Sequence, residues 1–133
     1  MRMNLTQVTD LQEMLRGMGP VLAPSPVGIR SVEALPAGLS VFATVAEAEG
    51  LTIVARQADL AAQGLKGGDD WALISLTLHS DLAAEGLTAA FAKALGDEGI
   101  SANVIAGFYH DHILVQWARA GDAMAASRRL SDA

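Results

Sequence analysis

Three histidines, His79, His110 and His112, and a scatter of carboxylates are the groups in the second half of this chain that could bind a metal or move a proton. His110 and His112 stand two residues apart, so on a strand both point to one face. With His79 as a third ligand they would make a zinc site, but nothing in the spacing brings His79 to the pair, and Asp111 between them projects the other way. A hydrolase would need Ser80 or Ser101 with His110 and Asp111. The chain has no Gly-x-Ser-x-Gly turn, and neighbouring residues diverge in direction. Asp81 and Glu85 flank a helix start, where carboxylates complement the helix dipole, and Asp97-Glu98 closes a helix in solvent. Gly67-Gly68 is a linker, since no Lys-Ser/Thr follows it as in a phosphate loop. The absence of cysteine removes thiolate catalysis, disulfides and cysteine zinc sites. No catalytic residue, metal or cofactor is therefore expected. What survives is residues 80–86, a strand-to-helix loop that would deliver Gly86 and unpaired helical amides to one end of a sheet, where such amides bind carboxylates. Asp111, at the turn Tyr109-His110-Asp111, is expected to be solvated.

The elements that position these groups follow from periodicity. Thr9 and Asp10 precede Leu11, Met14, Leu15 and Met18 at helical spacing, which predicts a capped first helix ended by Gly19-Pro20. Val27 to Val32 is a strand candidate, expected at a sheet edge because Pro26 cannot donate to a ladder. Leu39 to Val45 and Leu51 to Ala55 read as two more strands, and Ala58 to Gln63 as a short helix before Gly64. After Gly67-Gly68-Asp69-Asp70, Ala72, Ile74, Leu76 and Leu78 alternate with Leu73, Ser75, Thr77 and His79, which marks a strand. Leu87, Phe91 and Leu95 form an i, i+4, i+8 stripe, so a helix beginning near Leu87 lies on that sheet. Ala102 to Phe108 and Ile113 to Trp117 predict a hairpin, and Asp122 to Leu130 a final helix. The second half thus reads β, α, β, β, α, five of the six elements of a split βαββαβ unit. Neither half closes a four-stranded sheet alone, so strands are expected to be shared between halves or between subunits.

Composition agrees with a buried globular protein and excludes several classes of function. Of 133 residues, 51% are hydrophobic and 18% charged, and no apolar run reaches the ~20 residues that cross a bilayer. The net charge of -6 has the wrong sign for holding phosphate backbones, and 5% aromatic content offers few stacking platforms, so no nucleic acid and no membrane partner is expected. Residues 1–10 lack the apolar core of a signal peptide, and the absence of cysteine fits a reduced, cytoplasmic setting.

Several runs carry a family resemblance: Ser75 to Ser80, Gly86-Leu87-Thr88-Ala89-Ala90-Phe91, Gly99 to Asn103, and above all Phe108-Tyr109-His110-Asp111-His112-Ile113-Leu114-Val115. Together they resemble the small bacterial tandem ACT-domain proteins, and Glu49 to Val54 resembles that family's first half. Between Ala23 and Thr44 the likeness is looser, with Gly28-Ile29-Arg30 where the family has an aromatic-containing strand. The second half is similar to the regulatory ACT modules of aspartate kinases and of the cytosolic arginine sensor. The resemblance implies an α+β protein of two interlocked ferredoxin-like ACT units, residues 1–67 and 70–133, with antiparallel sheets and helices on one face. It implies a non-catalytic regulatory protein that binds a small amino acid or related metabolite. Gly86, Leu87 and Thr88 would give backbone contacts, with Asp81 beside them. Phe108 would cover the ligand, Asp111 would meet its basic group, and His110 would belong to the same ligand-binding set. His110 replaces an aromatic of the arginine sensor and Ala84 an acid, which speaks against arginine itself. A homodimer is expected, since exposed strand edges are hazardous. The alternatives are a structural dimerisation module without ligand and a metal-binding protein built on the histidines.

Overall fold

The computed structural model describes residues 19–77 and 82–132, so the expected first helix, His79 and the loop at 78–81 lie outside the described residues. β1 (Val21–Leu22) and β2 (Val27–Val32) are one line of chain interrupted by Pro24 and Pro26. Proline has no N–H to continue a ladder, so the chain changes partner across the break. β1 pairs with β5 (Trp71–Thr77) of the second half, whereas β2 pairs along its length with β4 (Gly50–Arg56). β3 (Ala43–Glu47) completes a hairpin with β4, and α1 (Gln57–Ala62) follows. The second half continues with α2 (Leu82–Asp97), β6 (Asn103–Ala106), β7 (His110–Gln116), a 3-10 turn and α3 (Ala120–Asp132). Helix α2 stops where Gly99 takes a φ of +72°, with the Ile100 amide donating to the Leu95 carbonyl at 2.9 Å.

The strands form one antiparallel sheet ordered β3-β4-β2-β5-β7-β6, with β1 also on β5. The second half therefore has the four-stranded order β1-β5-β7-β6, and its missing sixth element is supplied by the first half of the same chain. β2 is not the edge strand that Pro26 predicted; it lies inside the strand order. Its pairing with β5 is nevertheless the single position Val27↔Trp71, directly after the proline.

Register sorts the side chains into two layers. Ala72, Ile74 and Leu76 share a face with Val115 and Ile113, and pack against Phe91 and Leu95 of α2 and Ala123 and Met124 of α3. On the opposite face, Val27, Val54, Leu73 and Leu114 form a second cluster that also takes Ala43 from β3 and Ile105 from β6. Those two strands are the outermost in the order, so the sheet folds over on itself at the narrow β2–β5 contact and buries this face inside. Each large side chain so buried contributes about 1.5–3 kcal/mol. Leu60 of α1 covers Ile53 and Ala55 from outside, giving four layers of helix, sheet, sheet and helix.

The linker between the halves is pinned by Arg30. Its Nε donates to the Leu65 carbonyl (3.1 Å), and Nη2 donates to Gln57 Oε1 (2.9 Å) and to the Gly67 carbonyl. Gln57 in turn donates to the Asp69 carbonyl at 3.0 Å. Among the described residues, no helix is long and apolar enough to cross a membrane.

Candidate functional site

Helix α2 starts at Leu82, not near Leu87, so Gly86, Leu87 and Thr88 belong to its second turn rather than to a loop. Leucine, alanine and glutamate at residues 82–85 are strong helix formers, and one interior glycine costs only about 1 kcal/mol relative to alanine. The amides without a partner inside the helix are those of residues 82–85, one turn earlier than expected. Asp81 lies outside the described residues.

The β5–β7 register pairs Leu76 with Asp111 and Thr77 with His110, which puts Asp111 at the end of the sheet from which the chain passes to α2. Asp111 is 8% exposed, not solvated. The hairpin turn is Gly107 to Tyr109, and β7 is already formed at His110, so alternation turns Asp111 to the helix-covered face beside Ile113. Phe108 and Tyr109 at the turn are 94% and 75% exposed and meet edge to face, with ring centroids 5.0 Å apart. His110 faces away from Asp111. The fold therefore brings Asp111 and the start of α2 to one end of the sheet, and leaves Phe108 and His110 apart from them.

His110 and His112 do share a face, with ring centroids 6.3 Å apart. Among the described residues, no group of three or more His, Cys, Asp or Glu side chains converges as a metal site would require. Periodicity alone did not single out the pair Ser75 and His112, which lie directly opposite on β5 and β7 with Ser75 Oγ 2.7 Å from His112 Nδ1. Phe42, at the entrance to β3, meets the His112 ring edge to face at 4.7 Å, so this histidine joins the two halves. Burial disfavours the charged imidazolium and lowers the His112 pKa; nearby His110 lowers it further, and Asp111 opposes them. A neutral imidazole bonded to a hydroxyl resembles part of a hydrolase triad. The adjacent carboxylate, Asp111, lies across the sheet where it cannot orient this ring.

Two family models described as ACT domain match the chain, one over residues 6–70 and the other over residues 66–126. Among solved structures, a Vibrio cholerae protein of unknown function, described as a possible transport protein, is 39% identical. That match covers 94% of this chain and 98% of the other, with a TM-score of 0.82. An Agrobacterium tumefaciens protein is 18% identical, with 80% of this chain and 84% of that one covered and a TM-score of 0.67. The regulatory subunit of aspartate kinase from Thermus thermophilus, in its ligand-free form, is 10% identical. It has a TM-score of 0.60, with 86% of this chain and 97% of that one covered, and shows a shared fold. No curated protein matches the sequence.

Proposed function

The chain belongs to the ACT domain family as a tandem, regulatory ACT protein, and from that premise we propose that it is non-catalytic and binds a small amino acid or related metabolite. The ligand lies at the sheet end where β5 leads to α2, its carboxylate on the amides of residues 82–85 and its ammonium towards Asp111. The observation that carries this reading is the burial of Asp111 on the helix-covered face of that end. A carboxylate in such surroundings attracts a cationic group more strongly than one in water. Asp81, which precedes Leu82 in the sequence, is assigned to the same site by the family resemblance, while Gly86, Leu87 and Thr88 support it from the second turn. Phe108 reaches the ligand only if the hairpin turn moves, and His110, on the opposite face of β7 from Asp111, lies outside the site. The working form is a cytoplasmic homodimer.

A thermal-shift screen against the common amino acids tests the proposal. A ligand at a hundredfold over its dissociation constant adds about 2.7 kcal/mol of stability. Asp111→Asn then weakens the binding by about 2–5 kcal/mol, as expected for a partly desolvated charge pair. If no amino acid at millimolar concentration raises the melting temperature, the reading fails in favour of a ligand-free interaction module.

A further inference from the structure

We infer that His110 and His112 chelate one borderline divalent transition-metal ion, of the zinc and copper class, on the inner face of β7. Asp111 faces the helices on the other side of the sheet, so this site is independent of the one proposed above.

Residues two apart on a strand project to one face, and the two rings stand with centroids 6.3 Å apart at an interplanar angle of 65°. One ion between them, at metal–nitrogen lengths of about 2.0–2.1 Å, spans that separation. His110 is exposed and adjusts by rotation about its side-chain bonds, whereas His112 is the fixed partner. Ser75 Oγ lies 2.7 Å from His112 Nδ1, and Phe42 meets the ring edge to face at 4.7 Å, so the ring is held from two sides. The Ser75 bond admits either tautomer. A metal on Nε2 selects the one in which Nδ1–H donates to the hydroxyl, the outer contact that orients a ligating histidine. Nε2 is also open to approach: it faces Gly107, where a Cβ would stand only 3.4 Å away. Ligation needs the neutral imidazole, and burial already disfavours the charged form of His112.

The donor set selects the ion. Imidazole nitrogens suit zinc, copper and nickel, whereas magnesium and calcium take oxygen ligands. Two histidines fall short of the three or more side chains that a closed site requires, so water holds the remaining positions and the ion stays exchangeable. Phe42 comes from the first half and His112 from the second, so an ion on Nε2 fixes the ring on which the two halves meet, and it stabilises the fold by linkage.

The test is calorimetric titration of the whole chain with zinc sulfate, and with magnesium sulfate as the control. Zinc binds with one ion per chain and raises the melting temperature, while magnesium does neither. His110→Gln alters an exposed residue that the fold does not rest on, and it lowers zinc affinity tenfold or more, as does His112→Gln. Ser75→Ala lowers the affinity about tenfold at unchanged stoichiometry, and Ser75→Thr, which keeps the hydroxyl, restores it. Nitrogen NMR of the imidazole rings shows zinc on His112 Nε2 with Nδ1 still protonated. Asp111→Asn leaves zinc affinity unchanged. Absence of zinc binding by the unaltered chain at millimolar concentration overturns the inference, as does wild-type affinity in His110→Gln or a His112 Nε2 resonance that zinc does not shift. Zinc binding that is lost in Asp111→Asn but kept in His110→Gln also overturns it, by placing the ion on the other face of the sheet.

Discussion

Replacing Arg30 with methionine removes the guanidinium while keeping much of the apolar stem, and so isolates the clamp on the linker. Of its bonds, those to the Leu65 carbonyl and Gln57 Oε1 are partly buried; those to the Ile29 and Gly67 carbonyls are exposed. A hydrogen bond from a charged donor contributes about 1.5–3 kcal/mol, and exposed ones contribute least. Because one group makes all of them, they do not add fully, and Arg30→Met costs about 2–3 kcal/mol. For a chain of this size that lowers the melting temperature by roughly 6–12 °C. Urea unfolding gives the same loss as a lower midpoint with an unchanged slope. Gly68 offers a second arm, since it has a φ of +70° and a Cβ there would stand 2.7 Å from Arg30 Nη1. Gly68→Ala carries both the left-handed strain, about 1–2 kcal/mol, and a displaced guanidinium in the native background. In the Arg30→Met background only the strain remains. A melting temperature within about 2 °C of wild type for Arg30→Met, or an equal cost of Gly68→Ala in both backgrounds, would refute the clamp.

Two other outcomes follow from the structure. Since the His112 pKa is lowered in the fold from its ordinary 6.5, the unfolded chain takes up this proton first as pH falls. The contribution of His112 is complete above that value and is lost as pH drops towards the folded pKa, so stability falls on acidification. Melting curves across this range should show a pH-dependent component that His112→Gln lacks; an identical slope in the variant would exclude His112 as its source. Light scattering should give twice the mass of one chain. β1 completes the second half's sheet from within the same chain and is only two residues long, so among the described residues the longer free edges for pairing are β3 and β6, and a monodisperse monomer would remove the homodimer.

Much of the fold was legible because it depends on local periodicity. The alternation from Ala72 to Thr77 and from Ile113 to Gln116 specified both strands and their buried faces, and Phe91 and Leu95 marked the helix stripe that packs on them. The need to borrow a strand was visible in the element count, but its source was not. A two-residue strand, Val21–Leu22, has no period of its own, and only the break at Pro24 and Pro26 hints that the chain changes partner there. The boundary of α2 differs because the stripe of Leu87, Phe91 and Leu95 begins only after Gly86, which puts that glycine in the preceding loop. At Gly86 the surrounding helix formers prevail over a cost of about 1 kcal/mol.

The site was less legible, because it depends on which face a residue takes and on contacts between distant segments. Asp111 shows the first difficulty: a shift of one residue in where the turn ends exchanges solvent for core. Had the turn been placed at Gly107 to Tyr109, where Gly107 donates to the His110 carbonyl at 2.9 Å, alternation would have buried Asp111 and exposed His110 at once. The segment Gly28-Ile29-Arg30 shows the second. A Cβ on Gly28 would stand 2.5 Å from Gln57 Oε1, so the glycine makes room for the side chain that receives Arg30, and Arg30 in turn holds the linker. Gly28, Arg30 and Gln57 thus act as one device, separated along the chain by up to 29 positions but spent on a single join. Changes in that clamp should therefore alter the inner cluster at Val27 and Leu73 before they alter the sheet end at Asp111.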